Sequence, residues 1–210
     1  MKFNKTQLKL YAITDRSWLK GHTLAEQVEQ AILGGVTMVQ FREKKLSYEE
    51  MLPLAKSVQA VCKQYGVPFL VNDYVELAKE LDADGVHVGQ SDLAVRQARA
   101  ILGQDKIIGA TAKTVEQAKE AVLQGADYLG SGAVFGSATK TDAKPMKREL
   151  LQEICHSVSI PVVAIGGITA DNMEGLAGCE IAGVAVISGI FSAPDIKQTA
   201  EDFRKKLVAI

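Results

Sequence analysis

Thr37-Met38-Val39-Gln40-Phe41-Arg42-Glu43-Lys44 passes without a break from a largely apolar run into consecutive charged residues. The same passage recurs along the chain. Pro68–Val71 runs into Asn72-Asp73, and Gly85–Val88, interrupted by His87, leads to Gln90 and Asp92. Asp127–Gly130 leads through a glycine-rich stretch to Thr139-Lys140, and Val162–Ile165 ends in Gly166-Gly167. Short runs that end in charges or glycines, each followed by helical periodicity, predict a parallel sheet with its chemistry at one rim.

Eight strand-like runs can be counted, near Lys9–Thr14, Thr37–Phe41, Pro68–Val71, Gly85–Val88, Lys106–Gly109, Asp127–Gly130, Val162–Ile165 and Gly183–Ile187. Most are too short for helices and rich in Val and Ile. Between them, Leu24, Val28, Ala31 and Ile32 share one helical face, as do Met51, Leu54, Ala55, Val58 and Cys62. Ile196, Ala200, Phe203 and Leu207 do the same near the C-terminus. Thr23 with Glu26, Ser47 with Glu50, and Thr114 with Gln117 have the spacing of capping boxes, each where a helix should begin. Eight such units over residues 1–210 predict one α/β domain, a (β/α)8 TIM barrel near its minimal length. An open doubly wound sheet is the competing architecture, since alternation does not say whether the sheet closes. No G-x-G-x-x-G follows the first strand to support it.

The formal net charge of -1 gives no support for a nucleic-acid surface. No run has the length and hydropathy of a membrane span, and no apolar leader follows Met1–Lys9. Cys62, Cys155 and Cys179 are scattered and odd in number, which predicts reduced packing residues in a cytoplasmic protein. A homo-oligomer is compatible with the sequence, whose outward helix faces carry no unambiguous apolar patch.

Gly166-Gly167 at a strand exit lets backbone approach a ligand with N–H groups aimed at oxyanions, and the next strand exits into Ser188-Gly189. Loops after strands seven and eight of a barrel often form a phosphate site, although such glycines also serve plain tight turns. Arg42 and Lys44 alternate, so in an extended segment they point the same way, beside Gln40. Two cations at a barrel mouth suit a diphosphate, with Lys140, Ser137 and Thr139 as further candidates; a solvated charged loop is the plainer alternative. Asp73 and Asp92 follow neighbouring strands and are the carboxylates best placed for Mg2+, which commonly takes one or two carboxylates plus substrate phosphate oxygens. Either could instead open a helix. His87 is expected to line the site. No metal-ligand spacing of His and Cys, nucleophile elbow or P-loop is present, so the visible equipment stabilises anions and a leaving group.

From about Leu10 to Phe191 the chain resembles the thiamine phosphate synthase family. The carriers are Gln40-Phe41-Arg42-Glu43-Lys44, Asn72-Asp73, Asp84-Gly85-Val86-His87-Val88-Gly89-Gln90 with Asp92, Thr139-Lys140 with Asp142, and Ala164-Ile165-Gly166-Gly167-Ile168. The resemblance implies a transferase of thiamine biosynthesis with small-molecule substrates and a Mg2+ cofactor. It would join the pyrimidinylmethyl group of 4-amino-5-hydroxymethyl-2-methylpyrimidine diphosphate to the nitrogen of 4-methyl-5-(2-phosphoethyl)thiazole. In the family the diphosphate departs first and the thiazole nitrogen attacks the resulting carbocation. By motif, Asp73 and Asp92 would hold Mg2+, while Arg42, Lys44 and Lys140 would act on the diphosphate, with Asn72 also binding it. Gln40 would orient the pyrimidine and His87 line its pocket. Ser137, Thr139 and the backbone at Gly167, Ile187 and Ser188 would seat the thiazole phosphate.

The chain departs from the family pattern in places. Thr111 and Lys113 stand where the family usually has serine and histidine; threonine keeps the hydroxyl for a diphosphate hydrogen bond, and lysine replaces an imidazole by a cation. Gly132-Ala133 and Gly136-Ser137 replace the usual Gly-Pro and Pro-Thr, which should loosen that segment. Two other functions compete. A thiazole tautomerase of the same fold would need its histidine where Lys113 stands, and a non-catalytic phosphate-binding barrel would have no use for a carboxylate pair.

Overall fold

The computed structural model describes residues 3–89, 94–136 and 145–207. Its strands are β1 (Leu10–Ile13), β2 (Met38–Phe41), β3 (Phe69–Asn72), β4 (Gly85–Val88), β5 (Ile107–Thr111), β6 (Tyr128–Gly132), β7 (Val162–Ile165) and β8 (Gly183–Val186). Each pairs in parallel with the next, and β1 pairs with β8 through Leu10↔Val184, Tyr11↔Ala185 and Ala12↔Val186. The sheet is therefore a closed barrel, and the open doubly wound alternative is excluded. Opening that seam would uncover Leu10, Val184 and Val186, all fully or almost fully buried. Burial of such side chains is worth about 1.5–3 kcal/mol each.

Alternation along the strands sorts the apolar residues into two cores. Leu8, Tyr11, Met38, Leu70, Ile107, Tyr128, Val163 and Ala185 fill the lumen. Their neighbours, including Leu10, Val39, Val71, Val86, Ile108 and Val184, pack outward under the helices. Three strands run past the end expected from the sequence. β3, β5 and β6 extend to Asn72, Thr111 and Gly132 because the parallel ladder continues through Asn72↔His87, Thr111↔Gly130 and Gly132↔Ile165. Polar or glycine residues at these places do not end the strand, since each still has a paired neighbour. β8 is shorter than expected: Ile187 leaves it as the N-cap of the next helix.

The helices are α1 (Leu24–Leu33), α2 (Tyr48–Tyr65), α3 (Val75–Glu80), α4 (Val95–Leu102), α5 (Val115–Leu123), α6 (Arg148–Ser157), α7 (Ser188–Phe191) and α8 (Ile196–Lys206). Thr23/Glu26 and Ser47/Glu50 are reciprocal capping boxes. Thr114 is only half of one. Its hydroxyl accepts the Gln117 N–H, but the Gln117 carboxamide accepts from Lys113 N–H rather than from the N-cap. Among the described residues the unit after β7 holds a 3-10 turn, Met173–Leu176, in place of an α-helix. Cys62 and Cys179 are buried and Cys155 half-buried, none in a disulfide. Burial pushes the Cys62 thiol up to about 12, so it packs as an unreactive apolar group. No described helix is long and apolar enough to cross a membrane.

Candidate active site

The C-terminal strand ends surround a cavity of about 290 Å3. It gathers Gln40, Arg42, Lys44, Asn72, Asp73, His87, Thr111, Gly167, Ile187 and Ser188, all singled out from the sequence. Asp92, Ser137, Thr139 and Lys140 lie outside the described residues. Among those described, the lining carries the cations Arg42, Lys44 and Lys113 against the single carboxylate of Asp73, a balance that favours a polyanionic ligand.

The segment carrying Arg42 and Lys44 is fixed from below and from the side. Thr14, fully buried, accepts the Arg42 N–H at 2.9 Å. Glu43, only 7% exposed, accepts the backbone N–H groups of Lys44 and Lys45 at 2.8 Å and the Arg16 guanidinium at 2.5 Å. Burial would raise the Glu43 carboxyl, but Arg16 and the two amides outweigh it and hold it below the usual value. The charged segment is therefore a braced loop, and the plain solvated alternative does not describe it.

Asp73 sits just past β3 with φ +62°, a left-handed backbone that non-glycine residues rarely adopt. That turn aims its carboxylate at the cavity, where it pairs with the Lys44 ammonium and accepts the Gly89 N–H at 3.2 Å. It does not open a helix: the N-cap of α3 is Tyr74, which contributes no side-chain bond. Similarly, the N-cap of α4 is Ala94. Among the described residues no three metal-ligating side chains cluster.

The opposite rim is made of backbone. Gly166 and Gly167 have φ +103° and +64°, and a Cβ on either would meet the loop that follows β6. The contacts would be Ala133 Cβ at 2.4 Å and Phe135 O at 2.5 Å respectively. Both turn geometry and close approach thus require glycine. Among the described residues nothing accepts the N–H groups of Gly167, Ser188 or Gly189, which leaves donors for an oxyanion.

Beneath the cations, side chains join across the lumen. Gln40 Nε2 donates to Tyr11 Oη at 2.5 Å, and the Tyr11 and Tyr128 hydroxyls are 2.8 Å apart. The Tyr128 hydroxyl lies 3.0 Å from His87 Nδ1, and His87 Nε2 lies 3.1 Å from Thr111 Oγ1. Burial pushes both phenols well above their ordinary value, so both stay protonated. The sequence reading missed Tyr11 and Tyr128. A phenol at an inward position of each run was the available signal, but nothing in the chain says that residues 117 apart in sequence touch.

Comparison with known proteins places this chain among relatives. The model of the thiamine monophosphate synthase family matches residues 10–190. The thiamine-phosphate synthase of Alkaliphilus oremlandii is 45% identical over 99% of this chain and 100% of that protein. That of Ruminiclostridium cellulolyticum is 48% identical over 94% of each. The structure of thiamine phosphate pyrophosphorylase from Pyrococcus furiosus superposes with a TM-score of 0.89 at 39% identity, covering 97% of both chains.

Proposed function

The chain belongs to the thiamine monophosphate synthase family, and from that premise we propose how its cavity carries out the transfer. The substrates are an aminopyrimidine bearing a methyl diphosphate and a thiazole bearing a phosphoethyl group; the products are thiamine phosphate and diphosphate. One observation carries the reading: a single cavity offers side-chain cations on one rim and backbone N–H donors on the other. Two anions can therefore be held with their organic parts facing each other.

Arg42 and Lys44 neutralise the diphosphate as the C–O bond to the pyrimidine methylene breaks, and Asn72 fixes its position. Lys140 and Thr111 serve the same leaving group. Gln40 orients the pyrimidine over the lumen and His87 lines its pocket. The amides of Gly167 and Ser188, with the Ile187 backbone and the hydroxyls of Ser137 and Thr139, hold the thiazole phosphate. The thiazole nitrogen then attacks the methylene carbon with its lone pair. That nitrogen carries no proton, so no base is required. Positioning and charge neutralisation supply the rate.

The site also suits Mg2+. The Asp73 carboxylate is a hard oxygen donor aimed into the cavity, and the Lys44 ammonium already rests against it as a cation. Asp73, with Asp92, would hold the ion, and when bound it supplies further charge neutralisation for the departing diphosphate. The test is formation of thiamine phosphate and diphosphate from both substrates, with Mg2+ and then with excess EDTA. Mg2+-dependent formation of both products is expected. A folded protein that binds thiazole phosphate and forms neither product would overturn the reading in favour of a tautomerase or a binding barrel.

A further inference from the structure

The hydrogen bonds across the lumen form a chain with a direction. Gln40 gives an N–H to Tyr11, so the Tyr11 proton goes to Tyr128 and the Tyr128 proton to His87 Nδ1. A neutral imidazole that accepts at Nδ1 carries its proton on Nε2, which donates to Thr111 Oγ1. Along these four bonds Tyr11, Tyr128 and His87 each accept one and donate the next, so reversing one link reverses its neighbours. A reversed chain would turn the Gln40 carbonyl onto Tyr11 and move the imidazole proton to Nδ1.

The lumen is shaped around this chain. A Cβ at Gly109 would lie 2.1 Å from the Tyr128 ring, and one at Gly130 would lie 3.2 Å from His87 Cε1. The Tyr128 ring packs 5.5 Å from the imidazole and 5.9 Å from the Tyr11 ring, centroid to centroid. Both tyrosines are at most 1% exposed, which leaves their hydroxyls little choice of partner.

We propose that Tyr11 and Tyr128 are positioning residues that lock the Gln40 carboxamide with its carbonyl toward the ligand. They thereby make the pocket selective for a heteroaromatic ring bearing an amino group over one bearing an oxo group. Gln40 Oε1 has no hydrogen-bond partner among the described residues and is the acceptor such an amino group needs. An oxo substituent would set two acceptors against each other. A locked amide rejects it; an amide able to turn over would accept either. This inference rests on the pyrimidine reading of the same site.

Two measurements test it, one independent of the substrate. Nitrogen-15 NMR of the three histidines in the ligand-free protein should show His87 with a protonated Nε2 and an accepting Nδ1. Tyr128→Phe should shift the Nδ1 signal toward that of an unbonded nitrogen. A protonated Nδ1 in the wild type would mean the reversed direction and overturn the proposal, as would a His87 spectrum unmoved by Tyr128→Phe. In turnover, Tyr11→Phe should reduce the preference in kcat/KM for the 4-amino over the 4-oxo pyrimidine diphosphate by about tenfold or more, with KM for thiazole phosphate unchanged. Equal losses on both rings would show a merely structural role. If a single hydroxyl left unpaired prevents folding, Tyr11→Phe/Tyr128→Phe removes both and is read the same way. A wild type that turns over neither ring would sink the functional reading, while the NMR result would still decide the chain.

Discussion

The two rims of the cavity carry positive charge by different means. On the β2–β3 side the charge is on side chains, Arg42 and Lys44, carried by a loop that Glu43 and Thr14 brace. On the β7–β8 side it is the partial charge of N–H groups, set by the backbone angles of Gly166 and Gly167. Side-chain cations are strong, long and replaceable one by one. Backbone donors are weaker singly, and no side-chain truncation removes them; their aim depends on the backbone angles. The first rim suits a leaving group whose charge grows during reaction, and the second a phosphate whose charge stays constant.

The largest effect should come from the side-chain rim. Arg42→Ala or Lys44→Ala should lower kcat by about 10²–10³-fold, the usual cost of removing one preorganised donor to developing charge. The calorimetric affinity for thiazole phosphate should stay unchanged. Equal weakening of both substrates would mean that the rims do not divide the anions between them.

Next comes Gly167→Ala, whose methyl would meet Phe135 O at 2.5 Å on a backbone of φ +64°. Thiazole phosphate should bind about 10–100-fold more weakly, matching about 1.5–3 kcal/mol for hydrogen bonds to a charged group. The pyrimidine diphosphate should bind as before. Gly66→Ala is the control, with φ +67° and nothing within 4 Å of the added carbon. It should lower stability in urea by about 1 kcal/mol and leave both affinities intact.

Glu43 gives a smaller, pH-dependent effect. Its carboxyl is held below the ordinary 4.5, burial being outweighed by Arg16 and the amides of Lys45 and Lys44. The stability it contributes is therefore fully present above pH 4.5 and is lost as pH falls through the lower folded value. Urea unfolding of the wild type should weaken more steeply below that pH than unfolding of Glu43→Gln. Parallel curves would deny Glu43 its bracing role. Thr111→Ser should change least, about twofold or less in kcat/KM, because the hydroxyl beside His87 Nε2 is kept.

The same contrast separates what could be read in the chain from what could not. Arg42, Lys44, Asn72 and Asp73 follow Val- and Leu-containing runs directly, so their place at strand exits was visible from order alone. Of the three capping boxes expected from spacing, Thr23/Glu26 and Ser47/Glu50 form as read, since both partners are local. Thr114 and Gln117 have the right spacing, yet the Gln117 side chain reaches the Lys113 amide, a choice of rotamer that spacing does not encode. The glycine pair was identifiable as a turn, but its second cause, the loop of Ala133 and Phe135 pressed against it, comes from another unit of the barrel. The bracing by Thr14 and Arg16 likewise crosses from the neighbouring strand's loop.

The order of short apolar runs was enough to read eight strands and the charges and glycines at their ends, because these depend only on neighbours a few bonds away. Closure of β1 onto β8, the left-handed turn that aims Asp73, the close approach of the β6 loop to the glycine rim and the meeting of Tyr11 with Tyr128 were decided by tertiary structure. Each is a relation between segments that only the packed barrel brings within hydrogen-bonding reach, where a buried donor or acceptor left without a partner costs about 1–3 kcal/mol.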